Sequence, residues 1–232
     1  MIITLLALPL SLLGAQQPIG KRLDGRVTPD VAAVVEELGS AASARGLPVD
    51  PLIQKAIEGS AKGVPAERVV AAVRVVAMQL DTAALALHEG GVDGDTLAIA
   101  AGAFAINAGL SGNDITALAR IGASAQALTE GLRVAATLAA IGVPPAHNID
   151  LIGIRLRSAK SPADLPRLVL DEMARGSTPA QAAAGLEHAA GGGAGARGGQ
   201  HGPPPGRGTP PPHPPPPPHP PAPPHPPAPP HP

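Results

Sequence analysis

Four histidines, His213, His219, His225 and His231, stand six residues apart near the end of the chain, separated only by Pro and Ala. Neutral imidazole binds zinc and copper, so the spacing decides what metal chemistry the row can support. Proline lacks the amide donor, so residues 203–232 are expected in polyproline II rather than in helix or sheet. That conformation has three residues per turn, which sets all four rings on one edge about 19 Å apart. Zinc–nitrogen bonds are about 2 Å, so one extended tail offers a single ligand per ion. The expectation is weak metal binding through His213, His219, His225 and His231, tightened only where two tails lie side by side. No cofactor is implied.

Other residue pairs with reactive side chains have plainer readings. Ser60 with Lys62, and Ser158 with Lys160, stand two apart, a spacing that diverges on a helix. His88-Glu89 lacks the second His of a zincin helix, and His88 suits a helix C-terminus as a dipole partner. His147 and Asp150 sit one turn apart, as two metal ligands would, but no third ligand follows nearby. Asp93-Gly94-Asp95 has the opening of a calcium loop without its later acidic positions, so a helix cap is expected. Residues 122–126, around Ser124, lack the last Gly of a nucleophile elbow. Residues 14–21 have one residue too many between the glycines for a phosphate loop, and Arg22 replaces the magnesium-binding hydroxyl. A single Arg197-Gly198-Gly199 falls short of the repeated motif of nucleic-acid segments.

Composition narrows the classes further. Cysteine is absent, which excludes disulfide scaffolds, thiolate metal sites and thiol enzymes. The net charge of −1 gives no field to gather nucleic acid or an anionic membrane, so neither is expected as a partner. Trp and Tyr are also missing, and Phe104 is the one aromatic residue. Binding hot spots lean on Trp, Tyr and Arg, and bases and sugars are usually held by aromatic faces, so a chain with one Phe is expected to have little equipment for either.

The elements that must position these residues announce themselves by a repeated boundary. Gly46-Leu47-Pro48, Gly63-Val64-Pro65, Gly91-Val92-Asp93, Gly109-Leu110-Ser111 and Gly142-Val143-Pro144 each stand between segments of helical periodicity. Gly closes one helix in the left-handed conformation; Pro, Asp or Ser opens the next. The aliphatic residue is expected to staple the new helix by packing on a residue five ahead: Leu47 on Leu52, Val64 on Val69, Val92 on Leu97, Leu110 on Ile115. The fifth copy puts Val143 on Asn148 and breaks the pattern. Ser111 with Asp114 and Thr178 with Gln181 have capping-box spacing.

Between the boundaries, Val31, Val34, Val35, Leu38 and Ala42 share a face, as do Val69, Val73, Val76, Leu80 and Leu87, and Leu97, Ala101, Phe104 and Ala108. Ile115 to Leu138 reads as one long element that Gly122 or Gly131 can interrupt. Residues 151–157 alternate apolar and polar and leave helix and strand both open. The expectation over residues 27–190 is an all-α domain: an irregular array of seven or eight helices joined by short Gly-aliphatic-Pro/Asp/Ser turns. Boundary spacing is too uneven for a solenoid.

The flanks differ in kind. Residues 2–13 are uncharged and almost wholly apolar, and Gly14-Ala15 follows, as in a secretory signal peptide over 1–15, though no Lys or Arg precedes the run. The run is too short to span a bilayer, so no stable span is expected after cleavage at Ala15. Residues 16–26 read as a polar lead-in, and 191–232 as a disordered tail, first Gly-rich, then Pro/His-rich. The functional expectation is an exported, periplasmic or extracellular, non-enzymatic helical structural or interaction module; the alternatives are weak metal binding through the tail and an enzyme whose site is assembled from distant residues. The module's tail would serve as spacer or tether, and its partner would be an envelope protein or cell-wall component.

Overall fold

A computed structural model describes residues 17–191, all within the unit Met1–Gly195 of the chain; the unit Ala196–Pro232 lies outside them. The expected export segment and the four tail histidines lie outside the described residues too. Ten helices and no strand occur among the described residues. They are α1 (Ile19–Leu23), α2 (Pro29–Ala44), α3 (Asp50–Ala61), α4 (Ala66–Glu89), α5 (Thr96–Asn107), α6 (Gly112–Ala119), α7 (Ala125–Ala140), α8 (Pro145–Arg157), α9 (Leu165–Ala174) and α10 (Pro179–Gly191). The fold class is all-α.

Ten helices replace the expected seven or eight for two local reasons. The lead-in expected over 16–26 contains α1, whose Leu23 is buried and whose Arg22 reaches Asp50 at 2.6 Å. The long element breaks at Gly122, whose φ of 74° ends α6, while Gly131 stays inside α7 against Ile152 and Leu156. Residues 151–157 are helical, as the second half of α8, with Leu151, Ile152 and Leu156 buried together.

All five boundary glycines have positive φ, from 69° at Gly63 to 110° at Gly109, as a left-handed helix closure requires. The aliphatic residue after each has a role that the spacing did not announce. Its amide donates to the carbonyl five residues back: Leu47 to Ala42 at 2.9 Å, Val92 to Leu87 at 2.9 Å, Leu110 to Ala105 at 3.1 Å, Val143 to Leu138 at 3.0 Å. That is the Schellman closure of the preceding helix. Stapling of the next helix fits Leu110 with Ile115, where Ser111 is the cap and both partners are buried; Val64 stays exposed before α4, and Leu47 falls out of frame because Val49 and not Pro48 caps α3. It fails for Val92, because Asp95 and not Asp93 caps α5, accepting from the Leu97 and Ala98 amides and leaving Leu97 in solvent.

The core is built around α4, which packs on α2, α3, α5 and α6. Helix α5 lies between α4 and α7, and α8 joins α7 to α10. Small residues make the closest approaches. A Cβ on Gly102 would lie 3.1 Å from the Ala83 Cβ, and one on Gly90 would overlap the Ala119 Cβ. Because α5 is held on both sides, its buried positions are Ala98, Ile99, Ala101, Gly102, Ala103 and Ala105. The expected face of Leu97, Ala101, Phe104 and Ala108 is therefore divided: its two large members point outward.

Candidate interaction surface

Helix α4 carries two apolar rows. Val69, Val73, Leu80 and Leu87 form the buried one. On the opposite side, Ala71, Val75, Met78 and Leu85 face solvent, with Met78 60% and Leu85 59% exposed. An ordinary amphipathic surface helix would carry polar residues there. By length and composition α4 is also the one helix among the described residues apolar enough to cross a bilayer.

Beside this row lies a groove between α3, α4 and α5. Val76, Ala100 and Ala103 help to form it, Phe104 stands at its edge, and Gln54, Lys55, Glu58, Gln79 and Asn107 supply polar groups. Gln79 Nε2 donates to Asn107 Oδ1 at 3.4 Å across the α4–α5 seam. Lys62 and Lys55 flank Glu58; the hydrogen bond from Lys62, and then the charge of Lys55, hold the Glu58 carboxyl below its ordinary range. The groove's volume is about 220 Å³. Small-molecule sites start at about 300 Å³, so this groove matches a side chain of a partner better than a metabolite. Phe104, the chain's only aromatic, is 57% exposed at its edge, where a ring can anchor a contact.

The residues singled out from sequence are placed elsewhere. His88 Nδ1 meets Asp93 Oδ1 at 2.5 Å, and that hydrogen bond, with the carboxylate charge, raises the His88 pKa. Asp93 thus closes on the helix before it, and Asp95 alone caps the helix after it. His147 turns away from Asp150 and meets Glu187 Oε1 at 2.9 Å, tying α8 to α10. No group of three or more His, Asp or Glu side chains converges among the described residues. Ser124 caps α7 by accepting from the Ala127 amide at 3.2 Å. Lys62 pairs with Glu58, away from Ser60. Ser158 and Lys160 flank Ala159 at the end of α8, both exposed. Both capping boxes form, Ser111 with Asp114 and Thr178 with Gln181.

No family model, curated protein or solved structure matches this chain. Sequence reasoning missed the row Ala71, Val75, Met78 and Leu85 because the buried row already accounted for the helical period of α4. The signal was present as apolar residues on both sides of one helix.

Proposed function

We infer that the protein works by contact, as an exported helical module of the cell envelope. The observation that carries this reading is the exposure of Phe104 at the edge of the α3–α4–α5 groove. An aromatic ring held on a helix loses little freedom on binding, and the groove beside it accepts an apolar side chain. Export rests on residues 1–15, which have the composition of a cleavable signal segment. The Pro/His-rich residues 203–232 suit a spacer or tether by composition. An envelope protein or cell-wall component is the proposed partner.

The test combines localisation with a point change. N-terminal sequencing of protein recovered from the envelope should begin at or near Gln16. Phe104→Ser should move the protein from the envelope fraction to the soluble exported fraction while its thermal midpoint stays within a few degrees. Recovery of an intact Met1 terminus on cytosolic protein would overturn export. Unchanged envelope retention of the Phe104→Ser protein would overturn the contact reading.

A further inference from the structure

The exposed row of α4 has the spacing of a coiled-coil seam. Arg68, Ala71, Val75, Met78, Thr82, Leu85 and Glu89 follow one another at intervals of three and four residues. In heptad terms they occupy the two seam positions, and the buried residues Val73, Leu80 and Leu87 lie opposite. One flank of the seam carries Glu67, Arg74, Asp81 and His88, all exposed, at seven-residue intervals. Their signs alternate: minus, plus, minus, and plus when His88 is protonated. A flank of alternating sign sets the partner and its direction.

We propose that α4 is the dimerisation helix of this protein and that its occupant is α4 of a second copy, running antiparallel. The charges select the arrangement. In an antiparallel pair the same flank of each helix meets its counterpart. One register sets Val75 against the partner's Met78, Ala71 against the partner's Thr82, and the Arg68 stem against the partner's Leu85. The same register sets Arg74 against the partner's Asp81, twice by symmetry, and Glu67 beside the partner's His88, whose ring is already held by Asp93 of its own chain, so the Arg74–Asp81 pairs carry the selection. Sliding by one heptad brings Asp81 onto the partner's Asp81 and Arg74 onto the partner's His88, like charge against like. A parallel pair would stack Arg68 on the partner's Arg68 and Glu89 on the partner's Glu89. Of these arrangements, only the first sets Arg74 and Asp81 against opposite charge.

A lipid surface fits the row less well. Membrane-surface helices are rich in Lys and Arg on the polar face, whereas this flank is mixed and includes Glu67 and Asp81. Asp81 is also held by Arg45 of α2 at 2.5 Å, which fixes a carboxylate beside the seam.

The proposal deepens the contact reading but uses a different arc of α4 from the Phe104 groove. Its test is made in solution on the purified full chain, by light scattering across concentration. The native protein should shift with concentration from 22.9 kDa toward about twice that mass. Arg74→Asp and Asp81→Arg should each weaken self-association at least tenfold. Mixing the two variants should restore association, because the carboxylate introduced at position 74 of one chain then meets the guanidinium introduced at position 81 of the other, and the second native pair survives. Misfolding cannot produce that rescue. The chain lacks cysteine, so Val75→Cys mixed with Met78→Cys reports the register by oxidation. It should crosslink faster than Thr82→Cys mixed with Met78→Cys. A monomer at every concentration, or a dimer indifferent to the charge changes, would overturn the proposal. So would binding to phosphatidylglycerol vesicles that Met78→Lys abolishes in a protein that stays monomeric. None of these outcomes bears on envelope retention of the Phe104→Ser protein, so the two readings fail separately.

Discussion

Asn148 is the most exacting side chain in the fold. It is fully buried on α8, its Nδ2 donates to the Ala135 carbonyl of α7 at 2.7 Å, and its Oδ1 has no hydrogen-bond partner among the described residues. Ala135 is mid-helix, so its carbonyl also serves the α7 ladder. Removing both atoms of the carboxamide should therefore cost little, because the orphan oxygen goes with the donor. Asn148→Leu is expected to lie within about 1 kcal/mol of the native stability. Asn148→Asp should cost about 3 kcal/mol or more at neutral pH, since it buries a carboxylate facing a carbonyl oxygen. A carboxyl buried there would have a raised folded-state pKa. The acid form is then tolerated, and the deficit should grow as pH rises above the unfolded value of about 4. Denaturant titration of both variants at two pH values checks this.

His88 makes the opposite case, an exposed group tuned by one neighbour. Its pKa is raised first by the hydrogen bond to Asp93 and then by that carboxylate's charge. The folded state therefore favours the protonated ring. Its small contribution to stability is full below the ordinary value of about 6.5 and is lost as pH rises through the folded value. In an NMR titration, Asp93→Asn should bring the His88 midpoint down toward the ordinary range, and added salt should act in the same direction. An unchanged midpoint would show that Asp93 does not hold the ring in solution.

Among the elements, α4 and α6 show how much depends on a missing side chain. Gly90 and Gly91 are adjacent in sequence and serve unrelated ends. Gly91 has φ of 85° and open space around it, so Gly91→Ala should cost about 1 kcal/mol of backbone strain. Gly90 has ordinary dihedrals, but a Cβ there would overlap Ala119 and crowd the Leu87 and Thr116 carbonyls. Gly90→Ala should therefore cost about 1–3 kcal/mol by overpacking, a drop of several degrees in thermal midpoint. Adding Ala119→Gly should recover most of the Gly90→Ala loss and none of the Gly91→Ala loss. Differential melting of the four proteins separates sterics from strain.

At the scale of the whole molecule, the question is whether the tail histidines act together. The polyproline II spacing expected from the sequence, about 19 Å, exceeds the roughly 8 Å Debye length of physiological salt. Each should titrate and bind metal on its own. Calorimetry with zinc should show weak binding that vanishes when His213, His219, His225 and His231 are all changed to Ala. Tight binding by a monomer, lost in that variant, would mean that the rings of one chain converge on one ion.

The sequence by itself determined the all-α class and most of the helix ends, because those depend on neighbours within a turn. A glycine free to take positive φ, a hydroxyl three residues before a carboxylate, and a proline in the first turn act locally. The five boundary glycines and both capping boxes were legible for that reason. The end of α8 was not, since Ala159 takes φ of 50° where the other closures use glycine. Only the tertiary structure decided which of two local options won. Asp95 caps α5 because Asp93 is drawn back to His88. His147 serves Glu187, forty residues away in the chain, instead of Asp150 one turn along. The candidate surface belongs to the same class. Periodicity reports that α4 and α5 have apolar faces, but packing chooses which face is covered. Helix α5 is held between α4 and α7, so its small residues are buried and Phe104 is turned outward. Helix α4 spends one apolar row on the core and leaves Val75, Met78 and Leu85 facing outward, a distinction no local spacing rule encodes.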